Sequence, residues 1–226
     1  MKRNLNQMKS LLFAVLICSS ILACKKSDST YYEYENKVQQ FNGTTVDYIK
    51  TKPGTFDSLL KVLDRVPELK QALTTQELTI FAPVNENFAV ALKYLNYQRA
   101  IRNPNLPKIT LANADAAGLD FMLSKYIFSN RLTTANFIEA VDGVTLSSFK
   151  NNVPMQVKAL RENASGYVGG GALILQFSDR RGSIFPDRWI TTTTDAVNIS
   201  TSNGTVNILS QLHNFGFDEF TTRLDK

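Results

Sequence analysis

The sequence is short of the residues that most catalytic and metal sites require. Its 226 residues include one histidine, His213, and two cysteines, Cys18 and Cys24. A Cys/His metal site needs three or four such ligands, and a disulfide scaffold needs several cysteine pairs. A Ser-His or Cys-His enzyme would depend on His213 alone, with no nucleophile or orienting acid that the sequence identifies. We therefore predict no catalytic residue, no metal and no cofactor.

Phosphate-binding and calcium-binding signatures are also missing. The glycine-rich segment 166–171 lacks the Lys-Ser/Thr pair of a P-loop, and it leads into a strand rather than a helix. No alternating run of acidic residues resembles an EF-hand. The lone histidine precedes an aromatic cluster, so the sequence favours a structural role for it near the carboxyl terminus.

What is present at the amino terminus is an export signal. Lys2, Arg3 and Lys9 precede an uncharged, mostly apolar run over residues 11–23. A helix of that length spans about 20 Å, which is short of the ~30 Å hydrocarbon core of a bilayer. The segment is therefore interpreted as a secretory signal peptide, not as a membrane span.

The apolar run ends in Leu22, Ala23 and Cys24, an order that resembles the bacterial lipobox. That resemblance implies cleavage after residue 23 and lipidation of Cys24, which would then hold the protein to a membrane. Simple signal-peptidase cleavage near Ala23 is the alternative. Lys25, in place of an aspartate, is compatible with transport to the outer membrane, with the periplasmic or surface face left open.

Processing changes the meaning of the net charge. Residues 1–23 hold three positive charges and no negative ones, so their removal lowers the formal charge from +5 to +2. Nucleic-acid binding then loses its compositional support. Residues 24–44 have little periodicity and are predicted to be a tether. Within it, Asp28, Ser29 and Thr30 resemble a bacterial O-glycosylation acceptor, whose use the sequence leaves open.

The first half of the body has helical periodicity around one strand. Apolar residues from Phe56 to Leu63 follow the spacing of an amphipathic helix, and Pro67 is placed to start another. The segment 79–88 is predicted to be strand, turn and helix, with Asn85 as the helix N-cap. A further helix is predicted over 119–127, with Asn130 closing it.

The second half changes to a period of two. A short helix after Thr133 is followed by alternating segments, and Asn203 and Gly204 mark a hairpin because both residues tolerate positive φ. Helices first and strands afterwards indicate an α+β fold.

Two segments resemble the sequence blocks of the fasciclin (FAS1) domain family. The first matches a strand–turn–helix block at Thr79, Phe81, Ala82, Pro83, Asn85 and Phe88, and the second matches a hairpin block at Asn203, Gly204 and Asn207. Tyr126 stands where the family carries a Tyr-His pair. The resemblance covers about residues 45–226 and implies a wedge of two β-sheets with helices packed at one side.

The chain departs from the family pattern at two positions. Ile127 and Asn207 stand where histidines are usual, and the incomplete Tyr-His pair weakens any transfer of integrin-type adhesion. Residues 212–217 resemble a bacterial lipoprotein-borne branch, whose members often accompany outer-membrane glycan-uptake systems. The resemblance implies a binding or adhesion domain without catalytic activity.

Two long loops are predicted beyond a minimal domain of this family, at 96–114 and 178–194. The second contains the only tryptophan, and we predict that Arg180, Arg181, Arg188 and Trp189 bind a partner. The alternative is that Trp189 begins a strand and packs inward, with the arginines solvated. The predicted partner is an envelope protein or an extracellular glycan.

Overall fold

The computed structural model describes residues 39–225, except Ser165 and Tyr167. The predicted signal peptide, Cys24 and the possible glycosylation sequence at Asp28 lie outside the described residues. Within the described ranges, none of the helices combines the length and the apolar character needed to cross a bilayer.

The described residues form six α-helices and seven strands. The helices are α1 (Thr45–Lys50), α2 (Asp57–Arg65), α3 (Pro67–Thr75), α4 (Asn85–Arg102), α5 (Ala116–Ser124) and α6 (Phe220–Leu224). The strands are β1 (Leu78–Ala82), β2 (Ile127–Ser129), β3 (Val144–Ser147), β4 (Pro154–Arg161), β5 (Leu173–Asp179), β6 (Ile190–Thr201) and β7 (Gly204–Leu209). Short 3-10 turns lie at Thr134–Asn136 and Pro186–Arg188. The predicted α+β class is confirmed.

The strands follow the spatial order β2-β1-β7-β6-β5-β4-β3, and β1 and β7 are parallel. The long strand β6 joins two halves of the sheet, because its first residues pair with β5 and its later residues pair with β7. The Phe149 N–H donates to the Ile127 carbonyl at 2.7 Å, which links the chain just after β3 to β2. The two predicted sheets are thus two halves that share one strand.

Aromatic packing connects the two halves. Phe81 of β1 stacks on Phe177 of β5 with ring centroids 4.3 Å apart, and Phe128 of β2 meets both rings edge-on. All three side chains are buried in the hydrophobic core. The helices α2 and α3 cover this core as predicted, with Leu59 and Leu69 fully buried.

The helix predicted over 119–127 is shorter than its sequence pattern indicates. It ends at Ser124, and Ile127 instead pairs with Ile80 of β1. Asn130 follows β2, with φ at 69°, and does not close a helix. The prediction was wrong because a short apolar segment can match helical spacing and still form a strand. Here the last residues of the pattern pair with β1 instead of extending the helix.

Three predicted boundaries also move. Val84 holds the N-cap position of α4, while the Asn85 side chain joins α4 to α2 by accepting from the Ser58 N–H at 2.8 Å. The loop at 96–114 begins only after Arg102, because Arg99 is buried and pairs with Asp225 at 2.7 Å. The loop predicted at 178–194 is also shorter than predicted, because its two ends belong to β5 and β6.

The folded part begins before residue 45. The Phe41 N–H donates to the Ser200 carbonyl at 2.8 Å, and Ser200 N–H donates to the Gln39 carbonyl at 2.8 Å. These bonds attach the end of the predicted tether to the carboxyl-terminal end of strand β6.

Candidate functional site

The two family-like blocks meet in the structure. Strand β1 from the first block runs parallel to β7 from the second, with Leu78 opposite Gly204 and Ala82 opposite Ile208. We call this pair and the buried side chains around Tyr126 the seam.

Polar side chains of the first block tie the seam together. The Thr79 hydroxyl donates to the Asn130 carbonyl at 2.8 Å and accepts from the Leu132 N–H at 2.7 Å. The buried Asn87 amide donates to the carbonyls of Ser210 and His213, both at 2.9 Å. These side chains supply hydrogen-bond partners to backbone groups of irregular segments, which have no partner in a helix or strand.

The Asn203–Gly204 hairpin forms, but for a different reason from the one predicted. Neither residue has a positive φ. The Asn203 amide bridges separate segments, accepting from the Thr45 N–H at 2.9 Å and donating to the Leu73 carbonyl at 3.0 Å. At Gly204, a Cβ would lie 2.1 Å from the Leu78 carbonyl oxygen. Glycine is therefore needed for close approach of the two backbones.

Tyr126 is fully buried and hydrogen-bonded to the only histidine. Its hydroxyl accepts from the Gly216 N–H at 2.7 Å and lies 2.8 Å from His213 Nε2. Burial lowers the pKa of His213 from 6.5 to about 3, so the ring is neutral and shares a hydrogen bond with the Tyr126 hydroxyl through Nε2. Burial also raises the pKa of Tyr126 well above its usual value. The pair therefore holds two segments of the core together.

Asn207, at the second position where the family usually has histidine, stabilises an irregularity in β6. Its side-chain oxygen accepts from the Asn198 N–H at 3.0 Å, at a residue whose φ is 60°. The Asn198 amide then donates to the Thr134 hydroxyl at 2.7 Å.

A buried charge cluster adjoins the seam. Lys125 is 1% exposed, and its Nζ lies 2.5 Å from Asp179 Oδ2 and 3.1 Å from Glu219 Oε1. Burial acts to raise the pKa of Glu219, but hydrogen bonds and charges from Arg223 and Lys125 outweigh it and hold that pKa below its usual range. Sequence reasoning missed this cluster, whose members come from three distant segments.

The second polar region is a groove on the face of the β3–β6 half. The strand register places four polar side chains in one row across four strands, from Thr145 through Gln156 and Ser178 to Thr191. Lys158 and Gln176 form the next row. The Thr145 hydroxyl donates to Gln156 at 2.7 Å, and the Ser178 and Thr191 hydroxyls lie 2.9 Å apart.

The loop after β5 forms one side of this groove. Arg180 donates to the Thr145 hydroxyl at 3.2 Å, and its guanidinium carbon lies 5.4 Å from the centre of the Trp189 ring. The indole Nε1–H of Trp189 donates to the Ser183 carbonyl at 2.9 Å, which fixes the ring at the edge of the groove. The groove has a volume of about 450 Å³, within the range of ligand pockets, and Asp142, Ile184 and Pro186 complete its lining.

The four predicted binding residues separate into two groups. Arg180 and Trp189 line the groove and are each partly buried. Arg181 instead donates to the Phe217 carbonyl at 2.9 Å and pairs with Glu219 at 3.5 Å. Arg188 is exposed, with its guanidinium 5.6 Å from the Phe185 ring. The alternative interpretation placed Trp189 at the start of a strand, packed inward. Trp189 does come directly before β6, but its side chain lines the groove.

Several polar groups in the groove lack a partner within the protein. Among the described residues, the Lys158 ammonium and the Gln176 amide have no hydrogen-bond partner, and the Nε of Arg180 is buried without one. A signal for this face was present in the alternation of polar with apolar residues along β4 and β5. Its meaning depends on the register between strands, which sequence alone does not supply.

Other possible sites are less favoured. The described ranges contain no group of three or more His, Cys, Asp or Glu side chains placed to hold a metal ion. Two cavities of about 490 and 500 Å³ lie along α4, and each is lined mainly by apolar area. The groove contains two of the residues predicted to bind a partner, Arg180 and Trp189.

Similarity to known proteins is found among solved structures. No family model matches the chain, and no curated protein matches it. Among solved structures, the chain is similar to a FAS1 domain pair from the insect cell adhesion molecule Fasciclin I, with 17% identity and a TM-score of 0.45. The likeness covers 71% of this chain and 45% of that one, so the chain spans less than half the length of the matched structure.

Proposed function

We propose that the chain is a non-catalytic binding protein of the bacterial cell envelope, built on a FAS1-type domain and anchored by lipid at Cys24. It uses the groove to recognise an envelope protein or an extracellular glycan. The observation that carries this proposal is the groove itself, where Arg180 and Trp189 stand near Lys158 and Gln176, whose side chains have no partner among the described residues.

Membership of the FAS1 family is supported by where its two sequence blocks lie. They form the parallel β1–β7 pair, and the residues quoted for the resemblance make the contacts that join them. Tyr126 keeps a histidine partner, although that partner is His213 and comes from a distant segment. A packing role for this pair is consistent with binding elsewhere on the surface.

The absence of catalysis is proposed from chemistry. The histidine that an enzyme of this composition would need is 5% exposed and bonded to a fully buried tyrosine. A substrate has no direct path to either group. Sustained turnover of an ester or glycoside by the pure protein would contradict the proposal.

We restrict the binding site to Arg180 and Trp189, because Arg181 is bonded to the carboxyl-terminal segment and Arg188 lies outside the groove. The test is recovery of envelope protein and polysaccharide by the full chain in mild detergent. The double variant Arg180→Gln, Trp189→Ala is expected to recover at least tenfold less envelope material than the natural protein. The single variant Arg188→Gln is expected to recover as much as the natural protein. Equal recovery by all three proteins would contradict the proposal.

The alternative function is an accessory glycan-binding lipoprotein of an outer-membrane polysaccharide-uptake system. The row of amide and hydroxyl side chains favours it, because such groups both donate to and accept from sugar hydroxyls. Recovery of one polysaccharide class without a protein partner would support this alternative.

The anchor is tested separately. Cys24→Ser is expected to leave the signal peptide uncleaved by the lipoprotein pathway and to prevent acylation, measured by mass spectrometry and by fractionation of the envelope. A Cys24→Ser protein that is processed and membrane-bound like the natural one would contradict lipidation.

A further inference from the structure

The groove has an excess of positive charge. Its lining includes the Lys158 ammonium and the Arg180 guanidinium, against the single carboxylate of Asp142. The ion pairs of the described residues include neither Lys158 nor Arg180. The buried cation Lys125, by contrast, lies between Asp179 and Glu219. Unpaired cations on a partly buried surface are suited to a ligand that brings its own negative charge.

The arrangement of Arg180 points to a carboxylate. The side chain is held by one hydrogen bond to Thr145 and by contact with the Trp189 ring, and its Nε has no partner. A guanidinium presents its donors in a planar fork that matches the two oxygens of a carboxylate. A rotation of the Arg180 side chain that exposes Nε to a bound carboxylate would give this nitrogen the partner that it lacks in the free protein.

The rest of the groove is suited to a saccharide better than to a peptide. The strands β4 and β5 are paired on both sides, so their backbones offer no ladder to an added peptide strand. Side-chain amides and hydroxyls cover the floor, and each can both donate and accept. The apolar side chains of Trp189, Ile184 and Pro186 line the wall, where they can contact the C–H face of a sugar ring.

We infer that the groove binds an acidic saccharide, a chain of hexuronate residues, with one carboxylate on Arg180 and sugar hydroxyls on Gln176 and the polar floor. This inference rests on the proposed function, since it names the ligand class of the same groove. Lys158 lies one row beyond Gln156 and pairs across the sheet with Gln176, so it can meet a second acidic group or a hydroxyl.

The test uses calorimetric titration of the full chain in mild detergent with three probes. These are oligomers of galacturonate, oligomers of mannuronate or guluronate, and the methyl esters of each. Methyl esterification keeps the sugar skeleton and removes the negative charge. We expect binding to at least one acidic oligomer, with the esterified form of that oligomer at least tenfold weaker.

Variants locate the effect. Arg180→Gln is expected to weaken binding of the acidic oligomer at least tenfold and to leave the ester's weak affinity unchanged, and Arg180→Lys to recover part of the loss. Arg188→Gln removes an equal charge from the same loop outside the groove, and it is expected to bind like the natural protein. Near-ultraviolet circular dichroism and thermal unfolding show whether each variant keeps the fold.

Equal affinity for acid and ester, or equal losses in Arg180→Gln and Arg188→Gln, would overturn the inference. So would binding to none of the acidic oligomers. If the double groove variant loses envelope material while no uronate binds, the proposed function stands and the acidic ligand is wrong. If envelope recovery does not depend on the groove, both fail.

Discussion

The seam and the groove are both rich in polar side chains, but two side chains of the groove lack the internal partners that the central side chains of the seam have. In the seam, Asn87, Tyr126 and His213 are buried, and their hydrogen bonds go to other parts of the chain. In the groove, Lys158 and Gln176 are only partly buried and have no partner among the described residues. The difference separates polar residues that stabilise the fold from polar residues available to a ligand.

The buried charge cluster beside the seam offers the strongest way to test this division. Lys125→Ala is expected to lower the free energy of unfolding by about 3–5 kcal/mol, because it leaves Asp179 and Glu219 buried without their cation. Urea unfolding followed by far-ultraviolet circular dichroism measures the loss.

Lys150→Ala is the matched control. Lys150 also meets two carboxylates, Glu68 and Asp120, but its side chain is 33% exposed. Its loss is expected to be about 1 kcal/mol or less, because solvent screens exposed pairs. If Lys125→Ala costs no more than this control, the cluster does not stabilise the seam.

The close approach at the hairpin predicts the next largest effect. Gly204→Ala is expected to cost about 3 kcal/mol, because its Cβ would overlap the Leu78 carbonyl oxygen. The measurement is the shift in the urea unfolding midpoint.

Gly54→Ala separates sterics from backbone preference. Gly54 has a φ of 82°, and no atom lies within 4 Å of the position that an added Cβ would take, so only the backbone conformation is penalised. That cost is expected to be about 1–2 kcal/mol. A Gly204→Ala protein as stable as Gly54→Ala would show that the strands can move apart.

The lone histidine predicts how stability depends on pH. The folded pKa of His213 lies near 3, below the unfolded value of 6.5, so only the unfolded chain takes up this proton between those values. Stability is therefore full above about pH 6.5 and falls as the pH is lowered toward 3. Between pH 7 and pH 5 the loss is expected to be about 2 kcal/mol.

His213→Gln provides the reference for that measurement. The variant is less stable throughout, but its free energy of unfolding is expected to change little between pH 7 and pH 5, since the chain has no other histidine. Parallel pH dependences for the two proteins would mean that His213 is not held neutral by burial.

The smallest effect on stability is expected in the groove. Arg180→Gln removes one hydrogen bond to the exposed Thr145 and one contact with Trp189, so it is expected to change the unfolding free energy by less than about 1 kcal/mol. A loss as large as that of Gly204→Ala would place Arg180 among the residues that stabilise the fold.

Much of the fold follows from local pattern. The helices around Phe56 and Pro67, the alternating strands and the hairpin before β7 all have signals within a few residues. The short strand at Ile127 does not, because its pairing with Ile80 is a long-range contact. Gly204 shows that a motif can be found correctly while the physical reason given for it is wrong.

The candidate site was predictable only in part. Arg180 and Trp189 are conspicuous by composition, since the chain has a single tryptophan. The floor of the groove comes from four strands whose register the sequence does not specify. Nor does the sequence indicate that Arg181, one residue from Arg180, points to Phe217 instead.

The parallel pairing of β1 with β7 has a consequence for the order of folding. Strand β1 lies between β2 and β7, yet it is made early in synthesis and β7 late. Until Gly204 has been translated, one edge of β1 lacks its partner, and the backbone groups there are open to wrong pairing. Contacts so distant along the chain form slowly. We therefore expect the domain to complete its folding only after β7 has been made.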